Sequence, residues 1–332
     1  MFEVIDQIFS LDLSDRGVGK LYGPARAQTE EALCLAAANA FTGLKDGDHV
    51  FLLTGSLTRN WVSARIAETD GPIGTAALAR TLSYGFNAIP VVLVDEFIQD
   101  KMAAMLQLAG LSVVSDAEAR AATGHVRPTR VAVVRTCSTD DDLAREQCRD
   151  LVNELAPKAV VTIERAGMTA DGTYRNSLAQ DFSEGRARLD YVVSEARARS
   201  VPTIGIGDGG NEIGMGNVLD AVARHIPHGA AICPTTLTDI LLPCGVSNWG
   251  AYAIAAAIAL LKKRPELAHP PALEAKLIEA CPAVGFLDGF SGRLEPTVDA
   301  LPAGVHIGIV ELMLAAVKQG IAGIPVSKKL SW

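Results

Sequence analysis

Between residues 50 and 235 the chain alternates short runs of β-branched apolar residues with longer stretches whose apolar positions recur at helical spacing. The short runs fall at 50–55, 88–95, 111–115, 130–136, 159–164, 201–207 and 230–234. Helical periodicity covers 73–84, 97–108, 140–155 and 186–199. Continuous apolar strands separated by helices predict an α/β fold, a mostly parallel sheet covered by helices on both faces. Further helices are expected before this block at 30–41, and after it at 248–263, 271–281 and 305–318. The whole reads as one compact α/β unit over 1–332. It comprises a helical segment at 1–48, a sheet-forming core at 49–263 that carries the site, and a helical segment at 264–332. The proline-bearing stretch 264–271 is where a smaller second lobe would hinge.

Composition narrows the function classes. The chain has 332 residues, 49% of them hydrophobic, enough to bury a substantial core. Net charge is −8, and the longest basic stretch is Lys262-Lys263-Arg264, so the footprint of a nucleic-acid binder is missing. The first ten residues contain Glu3 and Asp6 and do not read as a secretory signal. The apolar run 249–261 falls short of the ~20 residues that span a bilayer, so it reads as a buried helix and no membrane partner is expected. Six scattered cysteines without a Cys-x-x-Cys pair suit reduced thiols and a cytoplasmic setting. A homo-oligomer is compatible with all of this.

In open parallel sheets, ligands gather at the carboxyl ends of the strands. Those ends here carry Thr54-Gly55-Ser56 followed by Thr58-Arg59-Asn60, then Asp95-Glu96, Glu164-Arg165 and Asp208-Gly209-Gly210-Asn211-Glu212. Carboxylates converging on one rim repel each other unless a cation or ammonium sits among them. The densest segment is 205–216 (GIGDGGNEIGMG), with six glycines in twelve residues. It formally satisfies G-x-G-x-x-G, but Asp208 would stand where a pyrophosphate must approach, so NAD is not expected. Asp208, Asn211 and Glu212 suit a divalent cation or an amine better; a solvated acidic turn is the plainer alternative. In 68–74 (ETDGPIG), Asp70 reads either as the cap of the following helix or as a ligand. Glu164 and Arg165 could pair with each other or face a ligand. Arg59 is the preferred carboxylate clamp, because guanidinium grips carboxylate in a fork. Ser247 and Asn248 could line a polar wall, or Ser247 could cap the next helix. His225 and His228 are weaker ligand candidates. No P-loop and no G-x-S-x-G elbow occurs, and no motif contains a lysine, which disfavours pyridoxal phosphate.

Taken together, 68–74 (ETDGPIG), 163–172 (IERAGMTADG), 207–216 (GDGGNEIGMG), 224–229 (RHIPHG) and 245–250 (GVSNWG) resemble the D-glutamate cyclase family. That resemblance implies closure of D-glutamate into 5-oxo-D-proline with loss of water, a lyase reaction on a small acidic amino acid. Asp208, Glu212 and Glu68 are the expected catalytic groups. A divalent cation, Mg²⁺ or Mn²⁺, would be held by some of Glu68, Asp70, Glu164 and Asp208. Arg59 or Arg165 would hold the substrate α-carboxylate, with Thr58, Asn60, Gly209, Gly210, Asn211, Ser247 and Asn248 around it. The same acidic site would also serve a metal-dependent phosphatase or other hydrolase, and a binding protein that senses an amino acid is a further alternative.

Overall fold

The computed structural model describes residues 1–323; residues 324–332, the end of the expected C-terminal helical segment, lie outside the described residues. Seven parallel strands form one sheet: β1 (His49–Thr54), β2 (Ile89–Val94), β3 (Ser112–Val113), β4 (Val131–Thr136), β5 (Val160–Ile163), β6 (Thr203–Gly207) and β7 (Ile240–Pro243). Their spatial order is β3-β4-β2-β1-β5-β6-β7. Every residue of β1 is buried, as expected for a central strand covered on both faces. Its side chains alternate: Val50 and Leu52 join the core beneath helices Pro72–Phe86 and Ser247–Lys262, whereas Phe51 and Leu53 join the core beneath Asp141–Leu155 and Asp190–Ala198. A two-stranded antiparallel hairpin, β8 (Thr297–Val298) with β9 (Leu301–Pro302), precedes the last helix, Ala303–Ala322.

The strand expected at 230–234 is instead a short helix, Gly229–Ile232, and the sheet edge is β7. Pro234 cannot donate to a ladder, and His228 at φ 57 turns the chain into a helical turn. Pro243 ends a run short enough to be overlooked, and an edge strand is where proline is tolerated. The last helix is long and apolar enough to cross a membrane by length and composition, though it packs on helices Ser247–Lys262 and Pro271–Val284.

Two helix starts are locked to each other. Helix Pro72–Phe86 begins with proline in its first turn, after Gly71 at φ 94. Asp70 does not cap it. The Asp70 carboxylate instead accepts the N–H groups of Ser247 and Asn248 (2.9 Å each), at the start of helix Ser247–Lys262. In return, Asn248 Oδ1 accepts from the amides of Gly71 (3.0 Å) and Gly74 (2.6 Å). Each helix therefore has its free amino-terminal N–H groups satisfied by a residue from the other.

From β1 the chain adds β2 and β4 on one side, then returns to place β5, β6 and β7 on the other. The change of direction lies between β1 and β5, so a crevice opens beyond their carboxyl ends.

Candidate active site

Four chain segments deliver carboxylates to that crevice. The connection after β1 brings Glu68 and Asp70, β5 ends at Glu164, β6 runs into Asp208 and Glu212, and the β8–β9 turn brings Asp299. Glu164 sits at φ 48 and Asp299 at φ 53, left-handed conformations that aim these side chains at some cost in backbone energy. Gly289 lets Glu68 approach, since a β-carbon there would collide with the Glu68 carboxylate. Oxygens of Asp70, Glu164 and Asp208 all lie within 4.8 Å of one another. Against this crowd Arg16, from the amino-terminal segment, contributes one guanidinium. Its Nη2 donates to Asp208 (2.6 Å), Asp299 (2.9 Å) and the Gly245 carbonyl (3.0 Å).

The cavity between them has a volume of about 500 Å³ and is walled by Glu68, Glu164, Asp208, Arg16, Phe182 and Phe290 among others. That size suits a small metabolite. Burial pushes Glu68 and Glu212 up to about 7, with the charge of Asp208 adding to the shift. Asp70, Glu164 and Asp299 are driven well above the usual carboxylate range for the same two reasons. The site is starved of positive charge. Asp70, Glu164 and Asp208 make an all-oxygen donor set of the kind that suits a hard divalent ion.

The expected residues divide into three groups. Glu68, Glu164, Asp208, Thr58, Arg59, Asn60, Gly209 and Asn211 line the cavity, and Asp70 stands directly against it. Arg59 is anchored through Nη2 to the Phe290 carbonyl (2.7 Å). A second group supports the first. Glu212 also lines the cavity, and it accepts the amides of Asp208 (3.1 Å), Gly209 (2.6 Å) and Gly210 (2.8 Å), so its carboxylate shapes the loop that presents Asp208. Gly210 serves that loop and does not line the cavity. Ser247 does not cap its helix through its side chain; its Oγ donates to Glu164 (2.6 Å). Asn248 is the helix cap described above. The third group is corrected outright. Arg165 is fully buried behind the site and neither clamps substrate nor pairs with Glu164. Its Nη1 and Nη2 donate to the two oxygens of Asp95 (2.6 and 2.9 Å). His225 and His228 are also absent from the cavity lining.

Arg16 and Asp299 are site residues with no expectation attached to them, and Ser56 was expected only as part of the segment after β1. Ser56 hydrogen-bonds Glu68 and holds its pKa down against burial. Arg16 lies in a polar, glycine-flanked loop that carries no local pattern of a catalytic motif. Asp299 is placed by a left-handed turn at Asp299-Ala300 between β8 and β9, a feature of the backbone that no sequence motif marks.

The D-glutamate cyclase-like, C-terminal family matches residues 5–314 of the chain. Human mitochondrial D-glutamate cyclase is 43% identical over 103 residues, a stretch covering 31% of this chain and 17% of that protein.

Proposed function

This chain belongs to the D-glutamate cyclase-like family, and on that premise we propose that it closes D-glutamate into 5-oxo-D-proline with loss of water. The observation that carries the reading is the cluster of Asp70, Glu164 and Asp208 oxygens beside a single contacting guanidinium. Such a site attracts positive charge, and an amino acid brings an ammonium.

The reaction joins the substrate amine to its own γ-carboxyl carbon. An amine with a pKa ~2 units above ambient costs roughly 3 kcal/mol to deprotonate. The γ-carboxylate resists attack until its charge is neutralised, and one of its oxygens must leave as water. Asp70, Glu164 and Asp208 would hold Mg²⁺ or Mn²⁺. When bound, the ion would supply polarisation of the γ-carboxyl oxygen. Glu68, facing the cavity, relays the two protons that the nitrogen gives up, one before and one after attack, to the departing γ-carboxyl oxygen, which leaves as water. Asp208, steadied by Arg16, holds the ammonium side of the substrate before transfer. Glu212 keeps the Asp208 loop in shape rather than acting on substrate. Arg59, with Thr58 and Asn60, draws the anionic substrate into the cavity. The walls fold the substrate so that its amine meets its own carboxyl, which supplies the proximity contribution.

The same three-carboxylate set favours a second reading, metal-dependent hydrolysis of a phosphomonoester. One assay separates them. The protein is incubated with D-glutamate, L-glutamate and a phosphomonoester, with Mn²⁺, with Mg²⁺ and with chelator, and 5-oxoproline is resolved by chiral chromatography. Formation of 5-oxo-D-proline that chelation suppresses is the expected result. Phosphate release without 5-oxoproline from either enantiomer would replace the cyclase reading with the hydrolase one.

A further inference from the structure

Arg186 stands one layer behind the cavity wall and is fully buried. Its Nη2 donates to the Leu57 carbonyl at 3.3 Å, while Nε and Nη1 have no hydrogen-bond partner among the described residues. The guanidinium carbon lies 3.8 Å from the centroid of the Phe182 ring. Leu57 and Phe182 both line the cavity, so both groups that this cation contacts belong to the cavity wall. The nearest carboxylate partner of this layer is already taken. Asp95 accepts two bonds from Arg165 and a third from the Ala187 amide (2.6 Å).

Burial, then the like charge of Arg165, pulls Arg186 well below its ordinary value, down to about 9. It is a cation short of an anion, and such a group destabilises a fold unless something compensates. The Phe182 ring offers part of that through a desolvated cation–π contact. It engages the flat face of the guanidinium and leaves the in-plane N–H groups unserved.

We propose that Arg186 is the substrate-carboxylate receptor of this site, donating from its free N–H groups to the α-carboxylate of an amino acid once the Phe182 ring turns aside. The cavity then sorts the charges of its ligand. The carboxylate goes to Arg186, the amine goes to Glu68 and Asp208, and a second acidic group would lie against the divalent ion that Asp70, Glu164 and Asp208 are suited to hold. The substrate class is an α-amino acid with a free α-carboxylate. This deepens the cyclase reading and rests on it for the identity of the amino acid, but not for the role of Arg186.

The test reads binding rather than turnover. Calorimetric titration of the full chain in chelator, where cyclisation is suppressed, compares D-glutamate with 4-aminobutyrate, which is the same molecule without its α-carboxylate. D-Aspartate with 3-aminopropionate forms a second such pair. In the wild type, the α-carboxylate should tighten binding by about 10²-fold, the size of a charge-assisted hydrogen bond pair. In Arg186→Met that ratio should collapse to near one, with 4-aminobutyrate binding as before. In Arg186→Lys, which keeps the charge, it should fall to an intermediate value; that variant carries the test if Arg186→Met fails to fold. An unchanged ratio in either variant, equal weakening of both members of a pair, or wild-type preference for inorganic phosphate over every amino acid would overturn the assignment. A protein that makes no 5-oxoproline yet shows the ratio and its collapse would refute the cyclase reading alone.

Discussion

Glu164 and Arg165 are neighbours in the chain, yet each belongs to a different buried charge cluster. Arg165 completes a balanced one. Two N–H groups meet the two oxygens of Asp95, and the Ala187 carbonyl accepts a further bond at 2.6 Å. Glu164 enters an unbalanced one, where Glu68, Asp70, Asp208 and Asp299 crowd about Arg16. Both clusters lie beyond the carboxyl ends of strands in the same sheet, and both are largely shut away from water. Burial of charge therefore does not mark the functional site. Surplus does: the negative excess beside Glu164 is costly until a proton or a cation compensates it, whereas the Asp95–Arg165 pair balances its charges.

Single substitutions break this contrast most sharply. Arg165→Met strips Asp95 of its cation and should lower the unfolding free energy by roughly 3–5 kcal/mol, read as a large fall in the denaturant midpoint. Asp208→Asn removes one of several mutually repelling charges. Its midpoint should stay level or rise, while D-glutamate turnover falls by roughly 10²–10⁴-fold. Equal destabilisation by the two changes would abolish the distinction between the clusters.

A divalent ion sharpens it next. Chelated protein supplied with Mn²⁺ at ~100 times its dissociation constant should gain about 2.7 kcal/mol of stability, seen as a rise in melting temperature. Asp70→Asn should remove most of that gain, because it takes away one of the three converging oxygen donors. Superimposable melting curves with and without the ion would show that the acidic surplus is not a cation site.

Much of the scaffold was legible because buried parallel strands are written as unbroken apolar runs: β1, β2, β4, β5 and β6 stand at or within a residue or two of the runs that predict them. β7 escaped because four residues ending in Pro243 make a poor strand signal, and only pairing with β6 makes them one. The acidic arms were legible too, since Glu68, Asp70, Glu164 and Asp208 flank strand or helix ends. Their partners were not. Arg16 reaches Asp208 across 192 positions, and no local pattern announces such a contact. Nor does position after a strand say on which side of the backbone a side chain falls. Arg165 follows β5 as closely as Glu164 does, but Glu164 at φ 48 turns the chain, and the arginine drops behind the site while the glutamate enters it.

Protonation is the other way to compensate the surplus, and its effect is small per pH unit for each proton retained. Glu68 rises from its ordinary 4.5 to about 7 on folding, chiefly through burial. In chelated protein the folded state therefore keeps a proton between those values that the unfolded chain has lost. Its stabilising contribution is fully present below about pH 4.5 and is lost as pH climbs through 7. Asp70, Glu164 and Asp299, also raised, act in the same direction. The slope is ~1.4 kcal/mol per pH unit for each proton retained. Denaturant midpoints of chelated protein should fall from pH 5 to pH 7.5, and saturating Mn²⁺ should flatten or reverse that fall, because a bound ion holds the carboxylates ionised. Chelated wild-type protein that grows more stable across this range would mean that the carboxylates beside Glu164 are already matched by positive charge within the fold.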